Sequence, residues 1–233
     1  MLPDIEMEIA ANAPDWASML RAPAAPPMSV RSTKRTLDVG SAIAGLVILS
    51  PILLLIGGLV KATSKGPILL RQSRVGKSAP GEERLFSMLK FRTMRNDAEE
   101  KTGPVWAGKS DSRITPVGKW LRRSRLDELP QFWNVLVGDM SLVGPRPERP
   151  FFTHKLAEQI PAYDDRIRAM RPGITGWAQT KCEYDSSLES VRRKLLFDVA
   201  YGAHLCRFGS YVRIEALILL LTFGVVLTGK GAR

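Results

Sequence analysis

Between Val39 and Val60 the chain carries no charged residue, and Ser50-Pro51 sits in the middle of that stretch. A straight helix of this length would span roughly 33 Å, against a hydrocarbon core of about 30 Å, so length alone permits a membrane crossing. Pro51 opposes a straight one. It has no N–H to donate and its ring crowds the preceding turn, so a helix bends there. The Ser50 hydroxyl is placed to satisfy a carbonyl that the proline frees at membrane depth. The flanks are basic on both sides: Arg31, Lys34 and Arg35 before, Lys61, Lys65, Arg71 and Arg74 after. A spanning helix is expected to carry its positive excess on one side. Basic residues on both sides fit a helix–break–helix that dips into one leaflet and returns. A kinked spanning helix is the alternative, since proline is tolerated in such helices.

This stretch divides the chain. Residues 1–33 are rich in Ala and Pro and carry Asp4, Glu6, Glu8 and Asp15, a composition that predicts a poorly ordered tail. They contain no apolar run of the secretory kind. Residues 34–64 are the expected membrane hairpin, and residues 65–233 the expected cytoplasmic domain. The net charge is +11 and the pI near 10.0, which implies an anionic partner: nucleic acid, anionic lipid or a phosphorylated substrate. Cys182, Cys206, His154 and His204 fall at no metal or redox spacing. No nucleotide-binding glycine pattern is present. Ile68–Gln72 and Leu85–Met94 read as strands, and Leu188–Tyr201 as a helix. The apolar run Ala216–Leu227 is short for a span and reads as a helix packed on the core or lying in the interface.

Ser124–Pro147, SRLDELPQFWNVLVGDMSLVGPRP, concentrates the chemistry. Pro130 suits a first helical turn, so a helix is expected from about Asp127 to Gly138. Leu126, Leu129, Trp133, Leu136 and Val137 form its apolar stripe; Asp127, Gln131 and Asn134 fall on another side. Asp127 and Glu128 are adjacent. Their side chains diverge by about 100° on a helix, which suits divided labour better than a shared proton. A helix start also favours negative charge, so plain capping is the competing reading.

Several cations surround this stretch. In a strand, Lys90 and Arg92 would share a face and could bind a diphosphate; otherwise they belong to a solvated edge. Arg122 and Arg123 are either a solvated helix face or headgroup ligands. Gly144-Pro145-Arg146-Pro147 holds Arg146 between two prolines, a rigid presentation that suits an anion clamp. Arg171, ahead of Pro172-Gly173, repeats the device.

The order KRTLD, an apolar hairpin with Ser-Pro, RQSRVG, KFRTM, RLDELPQFWNVLVGDMSLVGPRPE, RPGITGWAQ and KLLFDVAY resembles the bacterial sugar transferases, or monotopic phosphoglycosyl transferases. The resemblance runs from about Lys34 to Thr228. It implies an α+β, mostly helical fold: a re-entrant helix–break–helix on a small α/β catalytic domain with interfacial helices. It implies transfer of sugar-1-phosphate from a UDP-sugar to undecaprenyl phosphate, with UMP released, at the start of exopolysaccharide or glycoconjugate synthesis. Asp127 falls on the family's nucleophile, which forms a phosphosugar–aspartyl intermediate, and Glu128 on its partner in Mg²⁺ and proton handling. Lys90, with Arg92 beside it, Arg146 and, more weakly, Arg171 fall on phosphate-binding positions. Asp127, Glu128 and Asp139 are the candidate Mg²⁺ ligands. The implied place is the cytoplasmic face of the bacterial inner membrane, with inner-membrane lipid as a partner, no nucleic acid, and the oligomeric state left open.

The chain departs from the family after GWAQ, where it reads TKCEYDSS, and again at YGAHLCRFGS. With about thirty residues ahead of Lys34, the resemblance is to a short, catalytic-only form. Two other functions fit parts of the pattern: a basic membrane adaptor without activity, and a metal-dependent glycosyltransferase that moves sugar without its phosphate.

Overall fold

Helix α1 (Met28–Ile48) and helix α2 (Ser50–Thr63) meet at Leu49 with a bend of 62°. The computed structural model describes residues 25–78, 82–100, 103, 105, 111–160, 163–167, 170–182 and 187–228. Most of the tail expected for 1–33 therefore lies outside the described residues. The helix itself starts at Met28 and takes in the end of that range.

The bend follows from Pro51. The bond it cannot make would have reached the Val47 carbonyl, and Ser50 Oγ donates to that carbonyl at 2.8 Å. The hairpin leaves Leu37, Ile43, Val47, Ile48, Leu54, Leu55 and Leu59 exposed around the bend. Its two inner faces are packed. Ala42 of α1 joins Phe86, Met88, Val135 and Met140; Ile56 and Val60 of α2 join Phe91 and Leu121.

After the hairpin, β1 (Leu69–Val75) pairs antiparallel with β2 (Leu85–Phe91), Leu69 opposite Phe91. Helix α3 (Pro116–Ser124), a 3₁₀ turn (Leu126–Glu128) and helix α4 (Gln131–Val137) lead to β3 (Ser141–Val143). Helix α5 (Pro150–Ala157) and a second 3₁₀ turn (Tyr163–Ile167) precede β4 (Gly173–Thr175) and the short helix α6 (Trp177–Lys181). Two long helices, α7 (Leu188–His204) and α8 (Phe208–Thr228), finish the chain. β3 and β4 pair in parallel, so the described sheets are two-stranded and the fold is α+β and mostly helical.

Helix α8 is longer than the apolar run Ala216–Leu227 suggested. Its window Phe208–Val226 is long and apolar enough to cross a membrane. One face of α8 buries Tyr211, Ile214 and Ile218 with Val30, Trp177, Phe197 and Tyr201. The other leaves Phe208, Val212, Leu219, Leu220, Phe223 and Val226 exposed.

Candidate active site

The helix expected from Asp127 begins four residues later, at Gln131. Arg125 adopts a left-handed backbone (φ 57°), breaks α3, and turns the chain into the 3₁₀ segment that carries both carboxylates. A non-glycine residue there is strained by about 1 kcal/mol or more, and such strain gathers at functional sites. Pro130 precedes α4, and neither carboxylate caps it. The expected apolar stripe is only partly buried: Leu126, Leu129 and Leu136 pack on the core. Trp133 and Val137 are 51% and 53% exposed, whereas Gln131 and Asn134 are each 2% exposed.

The bonds of Asn134 explain its burial. Its Nδ2 donates to the Ser87 carbonyl at 2.8 Å, and its Oδ1 accepts from the Leu89 N–H at 2.9 Å. The polar face of α4 thus completes the free edge of β2, satisfying two strand groups that would otherwise be orphaned. This pairing sets Lys90, the next residue of β2, against the 3₁₀ turn. Lys90 Nζ lies 3.1 Å from Glu128 Oε1, and Arg146 Nη2 lies 2.9 Å from the same oxygen.

The two carboxylates consequently differ. Burial alone would raise the Glu128 pKa, but Arg146 and Lys90 outweigh it and hold it well below the usual carboxylate range. Asp127 is 8% exposed and forms no hydrogen bond or ion pair among the described residues. Burial first, and then the Glu128 charge, push its pKa up to about 6 against the pull of Lys90, Arg122 and Arg146. Lys90 is itself lowered, by burial foremost and by Arg146, with Glu128 opposing. With Asp127 ionised, Lys90 and Arg146 balance the two carboxylates, so an incoming anion does not meet a net negative cluster.

Arg146 is fixed from behind. Arg74 Nη1 donates to the Pro147 carbonyl at 2.9 Å, and Arg166 Nη1 donates to the Arg146 carbonyl at 3.2 Å. Arg166 is held in turn by Asp198 at 3.3 Å. The turns around Arg146 and Arg171 are one construction rather than two. Gly144 N–H donates to Thr175 at 2.9 Å, and Gly173 N–H donates to Pro145 at 2.8 Å. A Cβ on Gly144 would stand 2.3 Å from the Arg171 carbonyl, and one on Gly173 2.1 Å from the Gly144 nitrogen, so both must be glycine.

The structure brings Asp127, Glu128, Lys90 and Arg146 together and puts three other candidates elsewhere. Arg92 donates to Ser64 O and Oγ, both at 2.7 Å, and to Lys65 O at 2.8 Å, which caps α2 and anchors the hairpin exit. Arg171 Nε donates to Gly138 O at 2.8 Å, beyond the far end of α4. Asp139 is at that end too, 3.6 Å from Arg84. Half of the variant segment 180–187, residues 183–186, lies outside the described residues.

Sequence reasoning missed the inner ring of supports. The KRTLD motif wires helix α1 to the site: Arg35 donates to Val135 O (2.6 Å) and Leu136 O (2.8 Å), and Asp38 accepts from Ser141 Oγ and Leu142 N. Lys34 pairs with Glu215 at 2.7 Å, and Glu215 also accepts from Tyr201. A cationic run just before an apolar helix was the available signal. Asn134 was legible only as part of a polar helix face, and Arg166 carried no signal.

Among the described residues no three metal-ligating side chains cluster. Asp127 and Glu128 still fit Mg²⁺, which commonly takes one or two carboxylates and completes its shell with substrate phosphates and water. Lys90 and Arg146 both contact Glu128 Oε1, so Oε2 takes neither.

A family model described as bacterial sugar transferase matches residues 29–229. The UDP-N-acetylgalactosamine-undecaprenyl-phosphate N-acetylgalactosaminephosphotransferase of Aeromonas hydrophila is 40% identical over 200 residues, covering 86% of this chain and 45% of that protein. A putative undecaprenyl-phosphate N-acetylgalactosaminyl 1-phosphate transferase of Bacillus subtilis is 46% identical over 134 residues, 58% of this chain and 72% of that protein. The UDP-glucose:undecaprenyl-phosphate glucose-1-phosphate transferase of Escherichia coli is 40% identical over 174 residues, 73% of this chain and 36% of that protein. The chain thus spans less than half of the Aeromonas and Escherichia proteins.

Proposed function

The chain belongs to the bacterial sugar transferase family, and from that membership we propose that it transfers sugar-1-phosphate from a UDP-sugar to undecaprenyl phosphate. One observation carries the proposal: a buried, unpartnered carboxylate (Asp127) beside a carboxylate clamped by two cations (Glu128 with Lys90 and Arg146). A nucleophile needs free lone pairs, and Asp127 has them. Its raised pKa leaves it ionised at neutral pH while making the bare anion more reactive.

In this reading Asp127 attacks the β-phosphorus of the donor. The bond to the UMP oxygen breaks, UMP leaves, and a phosphosugar–aspartyl acyl phosphate forms. An oxygen of the polyprenyl phosphate then attacks the same phosphorus, freeing the Asp127 carboxylate and leaving the sugar on a polyprenyl diphosphate. Lys90 and Arg146 neutralise phosphate oxygens as charge shifts between them, and Glu128 keeps both cations aimed. Mg²⁺, when held by Glu128 and Asp127, supplies further neutralisation of the diphosphate. Arg92, Arg171 and Asp139 act at a distance, as anchors of the elements that carry the site. The hairpin dips into the cytoplasmic leaflet and returns, with its exposed apolar bend in lipid. The exposed face of α8 lies against the same leaflet. Residues 65–233 then work at headgroup level, where the acceptor presents its phosphate.

The relatives are named for N-acetylgalactosamine and for glucose at similar identity, so the donor is a matter for assay. The test uses full-length protein in detergent with Mg²⁺, undecaprenyl phosphate and a panel of UDP-sugars. Release of UMP that requires the lipid, together with a base-labile phosphosugar on Asp127 when the lipid is withheld, is the expected result. Release of UDP, or lipid binding without turnover, overturns the proposal.

A further inference from the structure

Gln179 follows β4 on the short helix α6, in the GWAQ segment. Both polar atoms of its carboxamide, Nε2 and Oε1, are buried, and neither has a hydrogen-bond partner. Among the described residues it is the one side chain with two buried polar atoms both left without a partner. Buried polar groups are nearly always paired, and an exception calls for a cause. The neighbouring hydroxyls are committed elsewhere. Thr175 Oγ1 and Thr222 Oγ1 bond each other at 2.7 Å, and Thr180 Oγ1 donates to the Trp177 carbonyl at 2.9 Å.

Gln179 also stands at a junction. It lines a cavity of about 150 Å³ together with Glu128, Arg125, Leu129 and Phe132. It lines a second, smaller cavity together with Arg146 and Arg166. The two residues that clamp each other at the carboxylate pair thus each share a cavity wall with this amide.

We propose that Gln179 reads the sugar of the nucleotide-sugar donor, its carboxamide taking two neighbouring hydroxyls of the hexose bonded to the reacting phosphate. This rests on the transfer reaction proposed above. A primary amide offers one acceptor and one donor side by side, and a vicinal diol answers both. The isoprenoid of the acceptor is a hydrocarbon and answers neither. The nucleobase is separated from the reacting phosphorus by a second phosphate and a ribose. The sugar is one bridging oxygen away, within reach of a side chain that shares cavities with Glu128 and Arg146.

The test compares wild type with Gln179→Met, which keeps the shape and removes both hydrogen-bonding groups, and with Gln179→Glu, which keeps only an acceptor. Each is assayed for UMP release with UDP-glucose, UDP-galactose and their N-acetylated counterparts, and then with deoxy analogues of the preferred donor. The expected result has four parts. Gln179→Met loses 10- to 100-fold in kcat/KM for the preferred donor. One deoxy donor costs wild type a similar factor and costs Gln179→Met nothing further. Inhibition by UMP, which has no sugar, is the same for both proteins. In the absence of donor, Gln179→Met melts at or above the wild-type temperature, because an orphaned amide has been removed. Gln179→Glu lies between the two in kcat/KM. Weaker inhibition by UMP in the variant assigns the amide to the nucleotide and overturns the proposal. Equal loss for every donor with a lowered melting temperature makes the amide structural and also overturns it, as does unchanged kcat/KM. A wild type that turns over no donor defeats the transfer reaction itself, which is a separate and recognisable failure.

Discussion

Replacing Asp127 by Asn is expected to make the protein more stable at neutral pH while abolishing turnover. The pKa of Asp127 is raised from an ordinary 3.8 to about 6, by burial and by the Glu128 charge. In the unfolded chain the carboxyl returns to its ordinary value. Below about pH 4 it is protonated in both states and contributes no penalty. As pH rises from 4 to 6 the unfolded state releases its proton first, so stability is lost through that window. Each pKa unit corresponds to about 1.4 kcal/mol, which makes the loss about 3 kcal/mol at neutral pH. Asn has the same shape and cannot ionise, so Asp127→Asn recovers that amount. For a chain of this size this is a rise of roughly 6–12 °C in melting temperature. Thermal melts of both proteins in the same detergent, from pH 4 to pH 8, measure it. The gap should be widest above pH 7 and close as pH falls to 4. If Asp127→Asn melts at or below wild type at pH 7.5, the carboxylate is paired or capping and is not an unpartnered buried nucleophile. A capping role specifically predicts no gain, because Asn caps as well as Asp.

Four further outcomes follow from the geometry. The kcat/KM for UMP release should fall about tenfold per pH unit below about 6, as Asp127 takes up its proton, in a pH–rate profile. Arg146→Ala should lower kcat/KM by about 10²–10³, and Arg146→Lys should restore only part, because an ammonium lacks the guanidinium fork. Asn134→Ala orphans the Leu89 N–H and the Ser87 carbonyl, and should cost about 2–5 kcal/mol in denaturant unfolding. Gly144→Ala places a methyl 2.3 Å from the Arg171 carbonyl, so it should separate β3 from β4 and abolish activity even where the protein stays soluble.

The bend at Pro51 was readable from the chain because its cause is local. Proline lacks a donor wherever it stands, and Ser50 is its neighbour; the hydroxyl on Val47 O is the outcome such chemistry dictates. The adjacency of Asp127 and Glu128 was readable too, with the motif that surrounds them. The face of α4 was misread at Trp133 and Val137. Periodicity assumes that apolar residues turn toward protein, but α4 packs against the polar edge of β2, and Asn134 is worth more there than Trp133 or Val137. Arg92 and Arg171 were misplaced for a related reason. An arginine swings to the nearest unsatisfied carbonyls, and those belong to Ser64, Lys65 and Gly138, which are distant in sequence or across a turn.

The sequence by itself determined the break in the hairpin, the basic balance, the family and the carboxylate pair, all properties of contiguous residues. Only the tertiary structure decided that the two carboxylates would differ. Lys90 arrives from β2 and Arg146 from the turn after β3, and both settle on Glu128. Asp127 is left buried and alone beside it. Burial and the distance between charges set a carboxylate's proton affinity, and neither exists until the chain has folded.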